Sequence, residues 1–211
     1  MTKYVLSLDG GGVRGLATAN FLRKLEFEMH KPILDKFDLV CGSSTGGILA
    51  IALSVLKLNG SRLVNIYSSR NLKKIFSTPM PRIIGPKYGS RRKNNILKEY
   101  FGTLALDEAE VPAIVVAYDL KKRSTKLFKT FEDRNLMAWK VASATSAAPT
   151  FFPAVRIKDD WYLDGAISSN NPALIAYSEA KKLWPDENIK ILSIGTGYDD
   201  KPFSGLKAKN W

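Results

Sequence analysis

Two apolar runs meet at the pentapeptide Gly42-Ser43-Ser44-Thr45-Gly46, and this junction constrains the fold more than any other stretch of the chain. Residues 37–41, Phe-Asp-Leu-Val-Cys, read as a buried strand, and residues 48–58 form an apolar run of helical length. A chain that passes from buried strand to helix in so few residues must turn sharply, and the flanking glycines allow both the turn and a close backbone approach. G-x-S-x-G in this setting is a nucleophile elbow. It projects the Ser44 hydroxyl, and the helix N-terminus behind it favours a developing negative charge. Ser44 is the candidate nucleophile, with Gly42 and Gly46 as the elbow glycines.

The same construction occurs earlier. Residues 3–9 read as a strand, Asp9-Gly10-Gly11-Gly12-Val13-Arg14-Gly15 as a turn, and a helix with an apolar face at Leu16, Ala19, Leu22 and Leu25 runs to about residue 30. Pro32 ends it. Strand, helix, strand, helix opens a parallel α/β sheet. Further on, the pattern predicts helices over 45–58, 61–76, 95–101 and 135–145, with Ser61 capping the second. Strands are expected at 112–120, 124–130, 151–155, 160–163 and 189–194, and Asn171-Pro172 should start a helix with Asn as cap. No repeat, low-complexity segment or long linker divides the chain, so residues 1–211 are expected to form one domain.

Composition narrows the class. At 45% hydrophobic and 25% charged residues the chain has material for one sizeable core. The N-terminal apolar run is too short for a signal h-region, and no window approaches the roughly 18 apolar residues of a membrane span. A cytoplasmic protein is therefore the expectation. Cys41 is the only cysteine and His30 the only histidine. An internal disulfide is impossible, and a zinc site of ordinary type lacks ligands; no metal and no cofactor is expected. The formal net charge is +12. Between residues 70 and 98 the charges are all basic: Arg70, Lys73, Lys74, Arg82, Lys87, Arg91, Arg92, Lys93 and Lys98. They are interleaved with Ile75, Phe76, Met80, Ile83, Ile84 and Tyr88. Such a stretch suits an anionic bilayer surface, with peripheral association, or simply a solvated loop. Nucleic acid is the less favoured partner, since charge alone would support it.

Gly10, Gly12 and Gly15 match G-x-G-x-x-G, but a dinucleotide site also needs an acid at the end of the second strand, where this chain has Cys41-Gly42. Leu16 stands where a P-loop requires lysine. Successive glycines at the top of a strand do expose backbone N–H groups, and the Gly10, Gly11 and Gly12 donors beside Ser44 form a candidate oxyanion hole. Arg14 has two readings, positive charge at that hole or an ion pair with Asp9. His30 falls near the far end of a helix of about 16 residues, roughly 24 Å long, so a Ser-His-Asp triad is not expected. The best remaining base is Asp164 in Asp164-Gly165-Ala166, where Gly165 would let the chain turn. Partial desolvation would have to raise the basicity of the carboxylate.

Together these residues resemble the patatin-like phospholipase family. Asp9-Gly10-Gly11-Gly12-Val13-Arg14-Gly15 is similar to its D-G-G-G-x-R-G motif, Gly42 to Gly46 to its G-x-S-x-G, and Asp164-Gly165-Ala166 to its D-G-[GA]. The proline-containing block 144–153 and Gly195-Thr196-Gly197 also fit, and order and spacing agree over about residues 3–198. The resemblance implies a three-layer α/β/α fold with a mostly parallel central sheet. It also implies a Ser44–Asp164 dyad, acyl hydrolysis of phospholipid or other glycerolipid esters, and no calcium requirement. A transacylase, a thioesterase or an idle lipid-binding module on this fold are the alternatives. Members of the plant storage type continue past the Gly-Thr-Gly region, whereas this chain stops at Trp211, so its domain is expected to be cut short on that side. Oligomeric state is not legible.

Overall fold

The computed structural model describes residues 1–77, 79 and 85–197. In chain order the elements are β1 (Thr2–Leu8), α1 (Gly15–Met29), β2 (Leu39–Ser43), α2 (Thr45–Ser54), α3 (Gly60–Ile66), α4 (Ser69–Ile75) and α5 (Ser90–Phe101). Then follow β3 (Ala113–Asp119), β4 (Ser124–Lys129), α6 (Ala138–Thr145), β5 (Val155–Ile157), β6 (Asp160–Asp164), α7 (Ala166–Ser169), α8 (Ala173–Leu183) and β7 (Asn188–Ile194). The strands form one mixed sheet in the order β5-β6-β3-β2-β1-β7, and β4 also pairs with β3. β7, β1, β2 and β3 are parallel neighbours, while β4, β5 and β6 join antiparallel.

Strand side chains alternate between two helical layers, as the period of two requires. Leu6, Leu8, Val40, Val115 and Ala117 pack with Leu22 of α1, Leu49 and Ile51 of α2, Leu63 of α3, Phe101 of α5 and Val141 of α6. Val5, Leu39, Cys41, Ile114 and Val116 meet Ala176 and Ala180 of α8 on the other face. Both faces being covered, the parallel strands are apolar throughout. Every residue of α2 except Ile48 is buried, which explains a helix with no polar face.

Several expected elements are redrawn. The helix expected over 61–76 is two helices: Asn59 caps α3 by accepting from Arg62 N–H (3.0 Å), and Ser68 caps α4 through Asn71 N–H. The helix expected over 45–58 stops at Ser54, and Lys57 has a left-handed φ of 54°. Residues 151–155 do not make a strand from Phe151. The N–H groups of Phe151 and Phe152 turn back onto the Ala148 carbonyl, and pairing begins at Val155, beyond Pro153. The expected 95–101 helix begins earlier, at Ser90.

Candidate active site

β3 brings the site together. β4 occupies one of its edges from Ile114 to Asp119. Along the other edge β2 pairs with residues 113–116 and β6 with 117–119. β2 runs with β3 and β6 runs against it, so the two strands approach each other end to end. Their last residues, Ser43 and Asp164, stand opposite Val116 and Ala117, adjacent positions of β3. Residues 120 positions apart in sequence thus meet, and the Ser44 hydroxyl donates to Asp164 Oδ2 at 2.7 Å.

Ser44 caps α2 with φ 53° and ψ −122°, a conformation that costs a side-chain-bearing residue about 1–3 kcal/mol. The surroundings enforce it. A Cβ on Gly46 would lie 2.1 Å from the Leu8 carbonyl oxygen, and one on Gly42 2.1 Å from that of Gly46, so only glycines let α2 start this close to β1 and β2. Thr145 Oγ1 accepts the Ser44 N–H (2.9 Å) while donating to the Val116 carbonyl (2.6 Å).

Both side chains are shielded, Ser44 at 7% and Asp164 at 3% exposure. The Ala166 N–H donates to Asp164 Oδ1 (2.8 Å), which aims Oδ2 at the serine. Burial raises the Asp164 pKa above the ordinary carboxylate value. The Ser44 hydrogen bond, the Ala166 N–H and the charge of Lys93 each oppose that rise. The desolvation that a carboxylate base requires is therefore present. Gly165 corrects an expectation. Its φ of −62° is available to any residue, and glycine is needed because a Cβ would lie 2.3 Å from the Val116 carbonyl oxygen.

Parallel pairing of β1 with β2, with Leu8 opposite Gly42, sets the glycine loop beside the elbow. One of its expected donors is already engaged: the Gly10 N–H donates to the Asn170 carbonyl (2.9 Å), and Gly10 O accepts from Thr196 Oγ1 (2.9 Å). Gly10 therefore anchors the loop. The N–H groups of Gly11 and Gly12 take no acceptor among the described residues. Arg14 is exposed and forms no ion pair with Asp9 among the described residues. Asp9 instead accepts from Asn171 Nδ2 (3.2 Å), and burial raises its pKa. His30 is the exposed, left-handed cap at the far end of α1 and lies outside the site.

Two residues of the site were not anticipated. Thr145 is the first, since its hydroxyl binds two backbone groups that converge only in the fold. Lys93 is the second. Instead of joining the basic surface it is buried, donating to Ser143 O (3.0 Å), Ser146 O (2.9 Å) and Ser146 Oγ (3.1 Å). Its ammonium stands 4.5 Å from the Phe152 ring centre. Burial lowers its pKa to about 7, against the opposing pull of Asp164. A signal existed: Ile96, Leu97 and Phe101 are buried, and Lys93 lies three, four and eight residues before them on the same helix face.

The rest of the basic segment, much of it in α4 and α5 and not in a loop, lies at or near the surface where it is described; Arg82, Met80, Ile83 and Ile84 lie outside the described residues. Arg70, Lys73, Arg91 and Lys98 are exposed, Lys74 pairs with Glu99 (2.6 Å), and Arg92 donates to Ser77 Oγ (2.6 Å). Phe76, Tyr88, Phe151 and Phe152 form an aromatic cluster that joins the segment to the loop after α6. Among the described residues no three or more His, Cys, Asp or Glu side chains cluster as metal ligands, and no helix is long and apolar enough to cross a membrane.

Comparison with known proteins adds a family. The family model described as Patatin-like phospholipase matches residues 6–177. Patatin-like protein 2 of rice (Oryza sativa) is 32% identical over 98% of this chain and 64% of its own length. The cGAMP-activated phospholipase of Pseudomonas aeruginosa is 32% identical over 92% of this chain and 62% of its own. Human calcium-independent phospholipase A2-gamma is 31% identical over 92% of this chain and 28% of its own. The chain thus spans less than two thirds of the length of these relatives. The crystal structure of VipD from Legionella pneumophila shares the fold, with a TM-score of 0.56 at 14% identity over 78% of this chain and 46% of that one.

Proposed function

Because the chain belongs to the patatin-like phospholipase family, we propose that it is a lipid acyl hydrolase of phospholipase A type in which Ser44 and Asp164 act as the catalytic dyad. The observation that carries this is the 2.7 Å bond from the Ser44 hydroxyl to a buried carboxylate, beside two unpaired loop N–H groups. Ser44 Oγ attacks the ester carbonyl as its proton passes to Asp164. The tetrahedral oxyanion forms beside the Gly11 and Gly12 N–H groups, with the Arg14 charge nearby. Collapse expels the alcohol portion of the lipid, which takes the proton from Asp164. Water then gives its proton to Asp164, attacks the acyl-enzyme, and releases fatty acid as Ser44 recovers its proton. The scheme calls on no calcium, in keeping with the name of the human relative.

Substrate is met at a surface. Val13, Phe151 and Ile167, each close in sequence to a site segment, are nearly half exposed, and the basic segment follows on through the aromatic cluster. Apolar side chains flanked by cations suit the anionic bilayer from which a phospholipid would be drawn.

Lipid mass spectrometry of phospholipid vesicles incubated with wild type and Ser44→Ala tests the chemistry. Wild type should release fatty acid and lysolipid, and the variant should fall by about a thousandfold or more. Equal release by both would sink the proposal. Acyl transfer to added lysolipid, or cleavage of acyl thioesters in preference to esters, would move it to the transacylase or thioesterase reading. The surface claim is tested by Arg70, Lys73 and Arg91 together changed to Gln. Binding to anionic vesicles should weaken by roughly fivefold per charge while hydrolysis of a soluble ester is spared. Lys93, being buried, does not belong in that set.

A further inference from the structure

The last turn of α6 holds both halves of the Ser44–Asp164 pair. Thr145 Oγ1 accepts the Ser44 N–H, the Thr145 carbonyl accepts the Gly165 N–H (3.2 Å), and the Ala147 carbonyl accepts the Asp164 N–H (3.1 Å). A helix end leaves its final carbonyls without intrahelical partners, so such a turn needs an outside donor to stay fixed. For the Ser143 and Ser146 carbonyls that donor is a lysine from another helix: Lys93 of α5 binds Ser143 O, Ser146 O and Ser146 Oγ at 2.9–3.1 Å, while the Ser146 hydroxyl donates to the Ala142 carbonyl. Each proton of one ammonium is directed at the turn.

Stability does not account for a lysine here. Taking an ammonium out of water is costly, and an apolar side chain of similar volume often serves a fold as well or better. Its charge joins the Ser44 and Ala166 hydrogen bonds, which act more strongly, in opposing the rise of the Asp164 pKa on burial. The other carboxylates at this end of the sheet are held elsewhere, Asp9 by Asn171 and Asp119 by the N–H groups of Lys121 and Lys122. The groups touching Asp164 directly, the Ser44 hydroxyl and the Ala166 N–H, are neutral.

We infer that Lys93 is a positioning residue for hydrolysis: it fixes the α6 turn that aligns Ser44 with Asp164 and sets a cation behind that turn. The inference rests on the dyad proposed above. Without the ammonium the turn loosens and the carboxylate holds its proton to higher pH, so fewer molecules carry a working base near neutrality.

The test uses the full chain and a soluble p-nitrophenyl ester, with kcat and KM measured across pH for wild type, Lys93→Met, Lys93→Arg and Ser44→Ala. Lys93→Met should lose about tenfold or more in kcat, keep KM within about twofold, and move the acidic limb of the profile to higher pH. Lys93→Arg, which keeps the charge, should hold the limb at the wild-type position even where kcat falls. Should Lys93→Met not fold, Ser146→Ala removes one of the three lysine bonds together with the Ser146 Oγ bond to the Ala142 carbonyl, with kcat expected to fall about threefold at unchanged KM. Wild-type kcat in that variant overturns the inference. In Lys93→Met, wild-type kcat and limb overturn it, and a kcat loss with an unmoved limb does so too, because that marks packing alone. If those results came with an inactive Ser44→Ala, the dyad would stand and Lys93 alone would be dismissed. An active Ser44→Ala would remove both.

Discussion

The two ends of the parallel strands treat polar groups in opposite ways. At the end where the strands begin, Asp38 accepts from Lys3 Nζ (2.9 Å) and the Tyr4 N–H (2.8 Å) while staying partly exposed. Lys36 lies 3.8 Å over the Tyr4 ring and Lys3 5.1 Å over Trp184, beside an open cleft of about 560 Å³. Lys3, Lys36 and Asp38 each have both a partner and water there. At the end where the strands finish, Ser44 is strained, Asp164 and Lys93 are buried, and Asp9 Oδ1 and Ser43 Oγ are buried with no hydrogen-bond partner. An open cleft thus lies at the first end, while a strained serine, two buried charges and two unpaired oxygens stand at the second. Strain and unpaired polar groups persist where the surrounding fold enforces them.

Substitutions at the two ends should separate activity from stability. The largest effect is expected for Asp164→Asn, which removes the base but not its shape: kcat on a soluble ester should fall by about a thousandfold. Thermal stability should hold or rise at neutral pH. The folded-state pKa of Asp164 is raised, so the native state binds the proton more tightly than the unfolded chain, and ionisation above that pKa costs stability that Asn avoids. A wild-type rate in this variant, or its unfolding, would break the contrast. Asp38→Ala should do the reverse. It leaves the Tyr4 N–H unpaired and should cost about 1–2 kcal/mol in denaturant titrations while kcat/KM stays unchanged. The third effect is a pH dependence. The Lys93 pKa falls from 10.5 in the unfolded chain to about 7 in the fold, so between those values the unfolded chain binds the extra proton. Lys93 therefore adds a rise of stability with pH in that window, and below about 7 the burial penalty is constant. Melting curves of wild type and Lys93→Met should converge, or shift in favour of wild type, as pH rises through the window. A difference independent of pH would place the lysine with the hydrated charges of the other end.

Much of the fold was legible because it depends on local pattern. The apolar runs before the two glycine turns gave β1 and β2, and the valine-rich run with its basic turn gave the β3–β4 hairpin. Boundaries slipped where tertiary contacts decide them. Tyr67, at the break between α3 and α4, is buried with its hydroxyl against Thr45, and no periodicity over 61–76 reveals that. Asp164 could be named as a base from its motif and the remoteness of His30. Its distance from Ser44 could not, because it depends on β2 and β6 sharing one edge of β3.

The charges divide in the same way. Sequence alone determined that residues 70–98 are basic, that no disulfide can form within residues 1–211, and that a glycine elbow presents Ser44, because composition and backbone sterics act over a few residues. Only the tertiary structure decided that Gly10 anchors while Gly11 and Gly12 keep their N–H groups unpaired among the described residues. It alone also sent Arg91 to the surface and Lys93 inside. Neighbours two positions apart on a helix point about 200° apart, and burial depends on what packs against each face.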